Sequence, residues 1–75
     1  MTLDQLPLGC CGRVTALNGE PALVQRLYEL GVMEDELVEM VATAPLGDPV
    51  EIRCGGSRIS LRKSEAASVQ LNSPS

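Results

Sequence analysis

The stretch VEIRCGGSRISL at residues 50–61 decides the fold. Val50, Ile52 and Cys54 alternate with Glu51 and Arg53, while Ile59 and Leu61 alternate with Arg58, Ser60 and Arg62. Alternation with a period of two places one set of side chains on each face of an extended chain. Between the two runs stand Gly55 and Gly56. A two-residue primed turn needs positive φ at its centre, which glycine adopts without a Cβ clash. The stretch therefore reads as a β-hairpin, with Ile52, Ile59 and Leu61 directed into a core.

Upstream, Pro45-Leu46-Gly47-Asp48-Pro49 is a turn stiffened by two prolines. It is preceded by ELVEMVATA at 36–44, apolar and β-branched enough for a longer strand. Its alternation is blurred, so the inward set is either Leu37 and Val41 or Val38 and Met40. Residues 20–31 read as one helix: Glu20 suits the positive end of the helix dipole, Pro21 suits the first turn, and Gly31 suits a left-handed cap. Leu23, Leu27 and Leu30 fall on one stripe with Val24 at its edge, Gln25 and Glu29 face water, and Arg26 and Tyr28 flank the stripe. Before the helix, Asn18-Gly19 closes a strand at Cys10–Leu17, with Val14 and Ala16 on one face and Arg13, Thr15 and Leu17 on the other. In the lead-in at 2–8, Leu3, Leu6 and Leu8 can pack onto a core while Pro7 prevents a regular helix.

Downstream, Ser64-Glu65-Ala66-Ala67 makes one helical turn before a short strand carrying Val69 and Leu71. The domain spans residues 1–72, and residues 73–75 are expected as a disordered tail, with order fading from Asn72. The sum is a mostly β domain: about five short strands, one α-helix after the first strand and a helical turn before the last. A small barrel uses such a set to protect its sheet edges.

Composition narrows the function. A chain of 75 residues supports one core and buries roughly 60% of its unfolded surface. Apolar residues make up 44%, yet Tyr28 is the sole aromatic, so the core is aliphatic and no base-stacking platform exists. Ten acidic against six basic side chains give a net charge of −4, which repels nucleic-acid phosphates and anionic lipid headgroups. Arg62-Lys63 is the only adjacent basic pair. The segment MTLDQLPL has neither a basic region nor an apolar one of signal-peptide type, and no apolar run nears the roughly 20 residues that cross a bilayer. A cytoplasmic location is expected.

Catalysis and cofactor binding lack their residues. There is no His to serve as a base beside a Cys or Ser nucleophile, and none to join carboxylates around a divalent transition metal. Cys10 and Cys11 project in opposite directions along a strand, which sets them poorly for one tetrahedral site with Cys54. Three cysteines, two of them adjacent, do not make a disulfide framework, and thiols in a reducing compartment are expected. Gly9, Gly12, Gly55 and Gly56 mark strand ends and the hairpin rather than a phosphate-cradling loop. Neither catalytic, cofactor-binding nor metal-binding residues are assigned.

Four segments carry a family resemblance: LxxLPLGxxGRV at 3–14, RLYELGV at 26–32, APLGDPVEI at 44–52 and SLRKSEAASV at 60–69. Together, in this order and spacing, they resemble the FeoA family. Glu34-Asp35 stands where that family usually has a Pro-Gly-like turn, and Cys10-Cys11 where it commonly has polar residues. The resemblance implies an SH3-like barrel and a non-catalytic accessory protein of ferrous iron uptake. Its implied partner is the cytosolic region of the FeoB-type GTPase permease, which it would assemble or modulate. The module also resembles the carboxy-terminal domain of DtxR-type repressors, so a free-standing regulatory module that binds a protein or peptide is the alternative. No nucleic-acid partner and no membrane insertion are implied, and self-association is left open.

The candidate partner-binding residues are Arg26, Tyr28, Leu46 and Asp48. In a domain this small nearly every apolar side chain is needed inside, so those left at the rim are free to bind something else. Leu46 stands on a stiff turn, and Arg26 and Tyr28 are residue types common at interfaces. Local pairing of Arg26, closure of the core edge by Tyr28 and plain turn chemistry at the prolines account for the same residues.

Overall fold

The computed structural model describes residues 1–72. Its elements are β1 (Cys11–Leu17), α1 (Pro21–Leu30), β2 (Leu37–Thr43), β3 (Val50–Cys54), β4 (Ser57–Leu61), α2 (Lys63–Ala66) and β5 (Val69–Leu71), with a 3-10 turn at Leu3–Gln5. All strand pairings are antiparallel, and the sheet order is β4-β3-β2-β1-β5. The sheet is not closed by hydrogen bonds between β4 and β5. It curls enough for all five strands to feed a single core, to which α1, α2 and the 3-10 turn contribute Leu27, Ala66 and Leu3. This is the mostly β architecture expected, with a helix after the first strand and a helical turn before the last.

The hairpin forms as read. Gly55 and Gly56 take φ of 59° and 82°, and Ile52 pairs with Ile59 across it. Val50, Ile52, Cys54, Ile59 and Leu61 are buried. In β2 the inward set is Val38 and Met40. The register shifts between Met40 and Ala42, so Val41 has no partner on β3. A bulge adds one residue to the alternation, and this is why the phase could not be read from the sequence. A second irregularity, between Val14 and Ala16 on β1, leaves Ala16 half-buried and lets Leu17 pack against the core.

Three apolar assignments change. Leu8 is 59% exposed, because Pro7 and the positive φ of Gly9 turn the chain away after Leu6 reaches the core. Leu30 is 39% exposed while Leu27 is fully buried. The stripe on α1 therefore narrows to Leu27 with Leu23 half-buried, since Gly31 at φ 94° ends the helix and sends Val32 into the core instead. The third is Gly12, which sequence reading placed at a strand end. It lies inside β1, and a Cβ there would stand 3.1 Å from Leu71 Cδ1. The Leu71 side chain of β5 packs closely against this position, and a Cβ here would make it shift.

At Glu34-Asp35 the turn is made without glycine. Asp35 adopts φ 71°, a left-handed conformation that Asp tolerates better than most residues. Its N–H donates to Val14 O at 2.9 Å, and its carbonyl accepts from Arg13 Nη1 at 2.6 Å. Asn72 is tied to β1 by two bonds, its N–H to Arg13 O at 3.0 Å and Arg13 N–H to its own Oδ1 at 2.8 Å. Order therefore extends through residue 72, and the tail expected at 73–75 lies outside the described residues.

Candidate partner-binding site

The loop between β2 and β3 is a tight turn. Gly47 N–H donates to Ala44 O at 2.7 Å, which makes Pro45 and Leu46 the central residues of a four-residue β-turn. Proline at the second position presets φ there, and Gly47 follows at φ 86°. Ala44 N–H then donates to Pro49 O at 3.0 Å and closes the loop. Leu46 is left at the tip, 97% exposed.

Beside this loop lies an open hollow of about 440 Å³, lined by Arg26 of α1, Asp48 and Pro49, the end of β4 and the start of α2. Arg26 Nη1 forms an ion pair with Glu65 Oε2. The other carboxylate oxygen, Oε1, accepts the Arg62 N–H at 2.8 Å, so Glu65 joins the first turn of α2 to α1. Asp48 Oδ1 accepts the Lys63 N–H at 2.9 Å, supplying from the loop a partner for an amide that the short helix cannot satisfy itself. The Arg62 side chain lines the hollow and makes no hydrogen bond or ion pair among the described residues.

Of the four candidate residues, Arg26 and Asp48 share the hollow and Leu46 stands on the adjoining loop. Tyr28 does not join them. Two residues beyond Arg26, it lies about 200° further round the helix, where its hydroxyl donates to the Glu34 carboxylate at 2.8 Å. That hydrogen bond, with lesser contributions from desolvation and the Glu34 charge, raises the phenol above its ordinary pKa. Tyr28 is 37% exposed, so its ring is an outward surface on a different flank. Sequence reading missed Glu65 and Arg62 as members of the site. The capping pattern that would have marked Glu65 normally begins with Ser or Thr, and here Arg62 stands in that place.

The thiols are separated. Cys54 is buried and its Sγ donates to Gly31 O at 3.5 Å, Cys10 packs at the margin of the core, and Cys11 pairs with Glu39 across β1 and β2. Burial, with the Glu36 charge a smaller cause, pushes the Cys54 thiol up. Among the described residues no three His, Cys, Asp or Glu side chains converge as a metal site.

This curled antiparallel sheet, with its one-turn helix between the last two strands and an apolar-tipped loop beside a polar hollow, defines a small SH3-like domain. The FeoA domain model matches residues 1–72, and the chain belongs to the FeoA family. A FeoA of Stenotrophomonas maltophilia solved with zinc, described as a prokaryotic SH3-domain protein, is 39% identical, with a TM-score of 0.79 over 96% of this chain and 89% of its own. The FeoA protein of Chlorobium tepidum is 35% identical, with a TM-score of 0.89 over 95% of this chain and 68% of its own. An Fe(2+) transport protein A/Fe(2+) transporter FeoB fusion protein of Porphyromonas gingivalis is 30% identical over 71 residues. That match spans 95% of this chain but only 8% of the fusion protein. No helix among the described residues is long and apolar enough to cross a membrane.

Proposed function

We propose that this protein is a non-catalytic accessory factor of ferrous iron uptake, working in the cytoplasm by docking on the cytosolic region of a FeoB-type permease. The observation that carries the reading is the fusion relative, in which a segment like this chain is covalently joined to a FeoB transporter. Tethering holds two modules at high effective concentration, so a separate chain with the same task needs a contact surface of its own. The Stenotrophomonas relative has likewise been put forward as a ferrous iron transport activating factor. Three cysteines with no disulfide among them fit a reducing compartment.

The docking surface proposed is the loop tip with the adjoining hollow. Leu46 is apolar, fully in water and held by a proline turn, so little entropy is lost on binding. Arg26 and Asp48 orient the partner, and Tyr28 contributes from its separate flank. Leu46→Asp tests the assignment by capture of the full-length permease in detergent. Capture should weaken at least about tenfold, or 1.4 kcal/mol, with the thermal midpoint nearly unchanged. Unchanged capture would remove the loop from the docking surface.

A further inference from the structure

The sheet has two edges, and they are treated differently. Beyond β5 the chain start lies alongside: Leu71 N–H donates to Met1 O at 2.8 Å, and Thr2 bridges Gln70. That edge is covered. Among the described residues β4 pairs only with β3.

The hairpin fixes which groups of β4 are open. A two-residue turn makes its flanking residues, Cys54 and Ser57, a hydrogen-bonded pair. Along the ladder Ile52–Ile59 and Val50–Leu61 are then bonded pairs, while Arg53–Arg58 and Glu51–Ser60 are not. The N–H and C=O of Arg58 and Ser60 therefore point out of the sheet, the acceptors and donors an added strand requires. On the core side of this edge Ile59 keeps 7% exposure, more than any other core residue. On the outer side stand Arg58, ion-paired with Glu51, and Arg62, with Lys63 following, in a chain whose net charge is −4. Four of the six basic residues belong to this hairpin and the start of α2. Arg53 and Arg58 are ion-paired with Glu39 and Glu51, which leaves Arg62 and Lys63 without an acidic side-chain partner among the described residues.

We infer that the free edge of β4 is a docking strand for an extended acidic segment of a partner protein. Backbone pairing to Arg58 and Ser60 supplies the register. An acidic side chain would face the unpaired Arg62, another four residues away would share Arg58 with Glu51, and the alternate apolar residues would cover Ile59. A second copy of this chain is the wrong occupant, because pairing β4 with β4 brings up the unpaired Arg62 and Lys63 of both copies and supplies no free acidic partner for them. The surface does not include the Leu46 tip, though it shares Ser60 and Arg62 with the hollow beside that tip, and the inference stands whichever protein carries the segment.

The test uses the full chain, ¹⁵N-labelled, titrated at low salt with a blocked peptide of about seven alternating Glu and Val residues, long enough to span β4. Expected are amide shifts centred on Arg58 and Ser60 that fade as ionic strength rises and the Debye length falls below about 5 Å. The Lys/Val counterpart, and the acidic peptide N-methylated on its edge-facing amides, should each bind at least about tenfold more weakly. Arg62→Glu should weaken the acidic peptide similarly at an unchanged thermal midpoint. The inference is overturned by equal binding of the N-methylated peptide, by shifts centred on the 44–49 loop, by no shifts up to millimolar peptide, or by a concentration-dependent dimer that protects the β4 amides.

Discussion

Replacing Leu27 by Ala is the sharpest test of how α1 is held, and hence of where Arg26 is presented. Leu27 is fully buried, whereas Leu23 and Val24 are half-buried and Leu30 is 39% exposed. Leu→Ala removes three carbons, about 2.4 kcal/mol of transfer free energy at roughly 0.8 per buried carbon. The cavity left behind adds about 24 cal/mol per Å³ that fails to collapse. A total near 3 to 4 kcal/mol is expected, a large share of the roughly 4 to 11 kcal/mol available to a domain of this size. The same change at Leu30 removes carbons already partly in water and leaves no closed cavity, so it should cost about 1 kcal/mol. Urea unfolding of the two variants, with the slope unchanged, measures the difference. If Leu27→Ala and Leu30→Ala cost the same within about 0.5 kcal/mol, the helix is held by the wider Leu23, Leu27 and Leu30 stripe and the packing described here is wrong.

Ile59→Ala should cost about 2 to 5 kcal/mol, and an unchanged denaturant midpoint would contradict the hairpin register. Asp35→Gly relieves a left-handed non-glycine residue and should raise stability by up to about 1 kcal/mol, read as a thermal midpoint higher by about 4 to 8 °C. A lower midpoint would show that the Asp35 side chain contributes more than its backbone costs. Cys54 should be the last thiol alkylated in the folded protein, as peptide mass mapping would show. Its folded pKa lies above the unfolded one, so its neutral form stabilises the fold fully below the ordinary thiol pKa. That contribution is lost as pH rises through the raised value. Alkaline destabilisation should accordingly be smaller in Cys54→Ala than in the parent, once the midpoints are matched at neutral pH.

The sequence alone determined the elements whose rules are local. Gly55-Gly56 with alternation on both sides specifies its hairpin because turn conformation and side-chain period are properties of adjacent residues, and Pro21 with Gly31 bounds α1 for the same reason. The family was legible too, since four segments in order and spacing are a linear pattern. Tertiary structure decided what depends on distant neighbours. The phase of β2 was settled by a bulge opposite β3, and Leu30 was left outside because Val32 took its place in the core. Gly12 was brought against the Leu71 side chain, and Asn72 was held by Arg13 across the sheet. The hollow followed the same logic: Arg26, Asp48, Arg62 and Glu65 come from three separate segments. Only the folded chain brings Glu65 to Arg26 and Asp48 to the Lys63 amide, because hydrogen bonds and ion pairs act over a few ångströms of space regardless of separation along the chain.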